Sequence, residues 1–131
     1  MFGTPLNSIK NSKKEMYISK QLRIEEDEYN NEIPVYGEPE YYGLVNYQHL
    51  VGNQLEAYMK AYGVTTRSVV RLFVDYIDTD KFKEQDIAYL YGATPKDELI
   101  NGDNANYIIK AIKPQNVKTM ILLEEIVKER N

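Results

Sequence analysis

The sequence contains no cysteine and no tryptophan, and His49 is the only histidine among its 131 residues. Without cysteine the chain forms neither disulfides nor thiolate metal sites, and one histidine cannot supply a typical zinc site. A Ser-His-Asp triad would have to use His49, yet no Gly-x-Ser-x-Gly motif accompanies it. We therefore interpret His49 as a surface residue or a structurally hydrogen-bonded one.

Longer functional signatures are also missing from the chain. No apolar run approaches the ~20 residues that cross a bilayer, and residues 1–14 lack the apolar stretch of a secretory signal. The segment 92–95 lacks the spaced glycines and the lysine of a phosphate-binding loop, and the acidic residues of 97–104 do not fit a calcium-binding loop. The sequence thus predicts no membrane association, no cofactor, no metal site and no enzymatic activity, although convergent carboxylates, as in glycoside hydrolases, are left open.

Clustered basic charge is absent too, since the chain has 16 basic and 20 acidic residues and a net charge of -4. This balance argues against tight, sequence-independent binding of nucleic acid, which needs grouped lysine and arginine. The most unusual feature that is present is a set of twelve tyrosines. Tyrosine favours strands and protein interfaces, and we interpret most of these rings as packed on half-buried sheets.

Alternation of apolar and polar residues predicts a mainly β protein. Period-two patterns, the signature of half-buried strands, occur in 16–24, 41–47, 65–77, 87–91, 107–113 and 117–123. The last two form the clearest hairpin, because Pro114-Gln115-Asn116 between them suits a turn. Both faces of this hairpin are largely apolar, which predicts a place deep in a core or against a neighbour. Segment 53–62 fits helical spacing and alternation equally well.

The remaining segments are predicted to be turns, loops and arms. The acidic stretch 25–31 is an exposed loop tip, 33–39 is an edge strand or connection because of its two prolines, and 93–103 is a loop. Residues 1–12 are a flexible arm or a short turn of helix, and 124–131 form a charged tail. The predicted fold is a small antiparallel β-barrel with flexible arms and little helix, occupying residues 13–131 as a single domain.

One longer pattern resembles a known family. Asp86 precedes a short strand that ends in a glycine turn at Gly92, Asn104-Ala105-Asn106-Tyr107 opens a hairpin, and Lys113-Pro114-Gln115-Asn116 forms its turn. This arrangement resembles the C-terminal half of the head-closure (stopper or neck) proteins of long-tailed bacteriophages. Segment 44–48, followed by Tyr62-Gly63 and Arg67, is similar as well.

The resemblance implies a β-barrel protomer that joins a ring below the portal and adaptor of the virion. That ring would be assembled in the host cytoplasm, close the DNA-filled head and offer a docking platform to the tail. Its partners would be further copies of itself, the portal or adaptor and the tail proteins, while duplex DNA passes through without specific binding. The alternatives are a tail terminator or other neck component, or a monomeric barrel whose tyrosines stack on sugars or single-stranded bases.

Three regions are candidates for contacts with partners. The acidic tip 25–31 is either a contact or, as we favour, a solvated turn; the loop 93–103 points to a channel or the next ring; and the two tails are docking arms or disordered ends. The individual residues expected to make contacts are Glu25, Glu26, Asp27, Glu28, Asn30, Lys96, Asp97, Glu98, Tyr107 and Arg71.

Overall fold

A computed structural model describes residues 13–63 and 68–127. The predicted arm 1–12, the end of the charged tail at 128–131 and residues 64–67 lie outside this part. The strands are β1 (Lys13–Ser19), β2 (Gln21–Glu26), β3 (Glu32–Tyr36), β4 (Glu40–His49), β5 (Val69–Asp75), β6 (Ile87–Tyr89), β7 (Tyr107–Pro114) and β8 (Lys118–Glu125). Helix in the described ranges is limited to α1 (Gly52–Tyr62) and a 3₁₀ helix (Tyr76–Lys81).

Six of the strands close into an antiparallel barrel. Their order around the barrel is β1-β4-β5-β8-β7-β6, and β6 pairs with β1 again to complete the circle. Among the described strands, β2 and β3 pair with each other alone and form a separate two-stranded sheet. The prediction of a mainly β protein built on a small antiparallel barrel with little helix is confirmed.

Side chains from all six barrel strands fill the interior. Val70, Leu72 and Val74 alternate along β5 and face inward, as the period-two pattern predicted. They pack with the other members of the same cluster: Met16, Ile18, Val45, Phe82, Ala88, Leu90, Tyr107, Ile109, Ile121 and Leu123. Burial of this much apolar surface, at about 25 cal/mol per Å², is the main favourable contribution to folding.

A second apolar cluster lies on the outside of the barrel, beneath α1. Leu122 is buried between two inward-facing neighbours, so its side chain points outward. It packs with Val69, Ala111 and Met120 against the partly buried residues of the helix, Leu55, Tyr58, Met59 and Tyr62. The two-sided apolar hairpin therefore has one face in the core and the other largely under a helix.

The segment 53–62, which fitted two patterns, is helical. The helix ends at Gly63, whose φ of 68° is left-handed and whose N–H donates to the carbonyl of Met59. Glycine adopts this conformation without a steric penalty, which is why it commonly terminates helices. No helix in the described part of the chain is both long and apolar enough to cross a membrane.

The prediction of one continuous strand over 16–24 is wrong. The strand breaks at Lys20, so that β1 stays in the barrel while β2 leaves it. Met16 and Ile18 are buried, whereas Leu22 and Ile24 on β2 are 60% and 57% exposed. The physical cause is that Lys20 occupies an apolar position of the pattern and pairs with a buried carboxylate, Asp86.

Candidate interaction surface

The β2–β3 hairpin is the most distinctive feature of the surface. It projects from one end of the barrel, between β1 and β4, and strands of six and five residues reach about 20 Å. Its turn is held by Asp27, whose carboxylate accepts N–H groups of Asn31 at 2.9 Å and Tyr29 at 2.8 Å. These hydrogen bonds, with that of Asn31 the strongest cause, hold the pKa of Asp27 below its usual value. Asn30 completes the turn in the left-handed region with φ of 64°.

The hairpin carries an unequal share of the charge. Residues 21–36 contain five acidic residues and one basic residue, whereas the rest of the chain contains fifteen of each. The whole net charge of -4 therefore lies on the hairpin. The predicted contact residues Glu25, Glu26 and Glu28 are exposed there together, as expected for the acidic tip.

Apolar side chains on the same hairpin are also exposed, and sequence reasoning missed them. Leu22, Ile24 and Ile33 are 60%, 57% and 46% exposed. Alternation predicts Leu22 and Ile24 on the core side of a strand, and the two prolines predict Ile33 in an edge strand or connection. The signal that could have found them is Lys20, because a lysine at an apolar position of an alternating pattern marks the point where burial ends.

The root of the hairpin is fixed by Lys20 and Asp86. The Lys20 ammonium lies 3.1 Å from Oδ2 of Asp86, and Oδ1 accepts the Gln21 N–H at 2.9 Å. Oδ2 accepts no aligned hydrogen bond from the described residues, so its attraction to Lys20 is electrostatic. The ammonium also donates to the carbonyl oxygen of Lys81. Asp86 is fully buried, whereas the Lys20 side chain is 35% exposed.

The loop between β6 and β7 is built around Glu98, one of the predicted contact residues. Its carboxylate accepts the Tyr89 hydroxyl at 2.7 Å and the Gly102 N–H at 3.1 Å. Asn104 donates to the carbonyls of Thr94 and Lys96 at 3.1 and 2.9 Å. Glu98 therefore has a structural role in ordering the loop.

Asn106 continues the β6 pairing where the strand itself has ended. Its side-chain oxygen accepts the Leu90 N–H and its amide donates to the Leu90 carbonyl, both at 2.8 Å. Its neighbours Ala105 and Tyr107 are buried, and the Tyr107 hydroxyl lies 2.7 Å from that of Ser68. The Asn-Ala-Asn-Tyr motif thus joins loop to barrel, and Tyr107 belongs to the core rather than to an exposed surface.

The same loop presents exposed residues at its tip. Lys96 and Asp97 are exposed, as their predicted role requires, and Leu99 and Ile100 beside them are 97% and 68% exposed. The loop meets the hairpin through Asn101, which donates to the Tyr36 carbonyl at 3.4 Å. At this junction Gly102 has φ of 96°, and a Cβ there would lie 2.5 Å from Ile87.

Arg71, the last predicted contact residue, lies between the barrel and α1. Its guanidinium donates to Gln48 at 2.8 Å and to the Tyr58 hydroxyl at 3.2 Å, and it lies 5.6 Å from the centre of the Phe73 ring. These contacts attach α1 to the barrel wall. The structure therefore groups the predicted hairpin residues towards the tip of the hairpin and the predicted loop residues in the loop that meets its root, and it places Arg71 and Tyr107 elsewhere.

An aromatic group occupies the end of the barrel opposite the hairpin. Exposed His49 stacks on Tyr91 with ring centres 5.0 Å apart, and Tyr47 lies edge-on to Tyr91 at 4.6 Å. Burial raises the pKa of Tyr91 well above its ordinary value. Across residues 13–63 and 68–127, no three histidine, cysteine or carboxylate side chains are grouped as a metal site would require.

Comparison with protein-family models, with curated proteins and with solved structures finds no match to this chain. Its function must therefore be inferred from its own residues and geometry.

The ion pair at the hairpin root predicts unequal effects for its two partners. Lys20→Met leaves the buried Asp86 charge uncompensated and should lower the free energy of unfolding by about 3 kcal/mol. Asp86→Asn retains an acceptor for Gln21 and leaves Lys20 in contact with water, so the loss should be about 1 kcal/mol. Urea unfolding measures both, with Arg23→Met at the exposed Arg23–Glu25 pair as control. Equal losses for the two variants would contradict this assignment.

Tyr89 predicts a specific loss of stability in alkali. Burial, reinforced by the Glu98 carboxylate, raises the pKa of Tyr89 to about 12, from about 10 in the unfolded chain. Between these two values the unfolded state releases a proton that the folded state keeps, so stability falls by about 1.4 kcal/mol per pH unit from this residue alone. Tyr89→Phe should make the measured slope shallower by that amount, with Tyr29→Phe at an exposed ring as control. An unchanged slope would refute the prediction.

Proposed function

We propose that this protein is a structural subunit of the head–tail connector of a long-tailed bacteriophage, acting as a head-closure protein. In this proposal copies form a ring in the virion below the portal and adaptor, close the DNA-filled head and present a platform for the tail. The observation that carries the proposal is the combination of a side-chain-filled barrel with an ordered, projecting hairpin that exposes both apolar and acidic residues. Such an element is better suited to contacts between proteins than to catalysis.

The residues behind the family resemblance have structural roles that support the proposal. Asp86 fixes the root of the hairpin, and Asn104 and Asn106 order the loop that follows β6. A pattern made of such residues is tied to this combination of barrel, hairpin and loop. The resemblance therefore concerns residues that determine the architecture. Structural subunits of one kind are expected to share such residues.

The hairpin charge fits a connector through which DNA passes. Phosphates repel an element with a net charge of -4, so the hairpin would not bind duplex DNA by neutralising its backbone. A duplex could pass such a surface without being held by specific contacts. The exposed apolar residues are then available for contacts with further copies of the chain, with the portal or adaptor and with the tail proteins.

A second candidate is a monomeric ligand-binding barrel, and the exposed His49–Tyr91 stack is the observation that favours it. Aromatic faces of this kind bind sugars or single-stranded bases. The filled interior weighs against it, because grooves such as those of about 250 and 350 Å³ lie on the surface rather than inside the barrel. The absence of a basic groove weighs further against nucleic acid.

Uptake by the portal–adaptor assembly of the same virus tests the proposal. We expect the purified protein to co-migrate with that assembly as a stoichiometric ring in light-scattering chromatography. A variant with Leu22, Ile24 and Ile33 changed to serine should lose this uptake while its barrel remains folded. The control Leu99→Ser, Ile100→Ser removes exposed apolar residues of the loop and should keep the uptake. Wild-type protein that ignores the portal assembly but binds the tail end would indicate a tail terminator. Binding to neither assembly would refute the connector role and direct attention to glycan and oligonucleotide binding.

A further inference from the structure

One face of the β2–β3 hairpin is apolar at its centre and acidic at its edge. Ile24 pairs across the strands with Pro34, so the two side chains share a face, and both are exposed. Glu26 and Glu32 form the pair further along the same face and are exposed as well. A two-stranded sheet alone is only marginally stable in water, so this face gains stability from a surface that covers it.

Charge excludes a second hairpin as that surface. Each hairpin carries a net charge of -4, so two hairpins placed face to face would repel each other. The rest of the chain is neutral overall and offers no such barrier. A contact between two copies that uses the hairpin must therefore join it to a different surface of the other copy.

In the part of the chain that the structure describes, one wall of the barrel combines apolar and basic residues that match the hairpin face. α1 and the 91–106 loop cover other parts of its outer face, whereas Leu44 on β4 and Phe73 on β5 are 58% and 43% exposed. They line a groove of about 280 Å³, together with Lys13 and Lys118. Asp75 also lines the groove and pairs with Lys118 at 2.8 Å, which leaves an excess of one positive charge.

We propose that the hairpin of one copy docks in this wall groove of a second copy. Ile24 and Pro34 then cover Leu44 and Phe73, and Glu26 and Glu32 approach Lys13 and Lys118. The reach of the hairpin, about 20 Å, is enough to span from one barrel to the wall of a neighbour.

The contact joins two unlike surfaces and leaves a free hairpin and a free groove at the ends of any pair. Repetition of such a heterologous contact generates a ring if the rotation closes and a filament if it does not. The proposal deepens the connector function, whose ring requires a repeating contact between copies. However, the proposed contact between copies involves residues of this chain alone and does not depend on the portal.

Disulfide cross-linking tests the contact directly, because the chain has no cysteine of its own. One chain carrying Ile24→Cys is mixed with another carrying Leu44→Cys under mild oxidation. The control pair combines Ile24→Cys with Leu99→Cys, at a position that is 97% exposed and therefore more accessible. We expect the mixed dimer of the first pair to form about tenfold faster or more, because docking raises the effective concentration of the two thiols. Equal rates for the two pairs would overturn the proposal.

Charge exchange makes the test specific to the proposed pairing. Glu26→Lys with Glu32→Lys, added to the Ile24→Cys chain, should remove the rate advantage. Lys13→Glu with Lys118→Glu in the Leu44→Cys chain should restore it. Glu56→Lys with Asp80→Lys changes the net charge equally at exposed sites off the hairpin and should leave the rate unchanged. Loss without restoration, or equal loss in the control, would also overturn it.

These outcomes are separate from those of the proposed function. Selective cross-linking of a protein that ignores the portal assembly would keep the contact and reject the connector. Portal uptake without selective cross-linking would support the connector and reject the contact.

Discussion

The architecture depends on the ion pair between Lys20 and the buried Asp86. A fully buried carboxylate is costly unless charge and hydrogen bonds compensate it, and here the Lys20 ammonium and the Gln21 N–H do so. The pair lies where β1 ends and β2 begins. It therefore fixes the point at which the chain stops contributing to the barrel and starts the hairpin. Beside it, Ser19 at the end of β1 pairs with Ile87 of β6, which closes the barrel.

What the barrel exposes is decided by what covers it. Its interior is filled, α1 is attached over one part of the outside through Arg71, and the Glu98-centred loop lies over another. Leu44 and Phe73 lie on a wall that neither α1 nor this loop covers, and Leu22, Ile24 and Ile33 lie on the hairpin. Other apolar side chains are exposed elsewhere, among them Ile77, Leu99 and Val117, so the wall and the hairpin are two of several exposed apolar surfaces.

Much of the fold could be predicted because the alternation of apolar and polar residues along a strand indicates which side chains are buried. The β5 pattern placed Val70, Leu72 and Val74 correctly, and the turn predicted at 114–116 located the last hairpin to within one residue, because Pro114 still belongs to β7. Segment 53–62 could not be assigned, because Leu55, Met59 and Tyr62 fit helical spacing while Leu55, Ala57 and Met59 fit alternation. Packing of the helix against the barrel decides between the two. The break at Lys20 was missed because its partner Asp86 is 66 residues away, and a local pattern does not contain such a contact.

The candidate surface was less predictable than the fold. The acidic tip could be identified because a run of like charges stays exposed to solvent in nearly any fold. The exposed apolar residues of the hairpin could not, because in an alternating strand they have the same pattern as core residues. Glu98 and Tyr107 were expected to contact partners, but hydrogen bonds and burial give them structural roles within the protomer. Composition indicates which residues are polar, and only the fold determines whether a polar residue faces a partner or its own chain.

Amide hydrogen exchange tests the central role of the ion pair most directly. In the Lys20→Met protein, amides of β2 and β3 should exchange about tenfold faster or more than in the wild-type protein, equal to about 1.4 kcal/mol of lost local stability. That result would mean that the Lys20–Asp86 pair orders the hairpin as a unit. Hairpin amides that exchange no faster than in the wild-type protein would contradict the account.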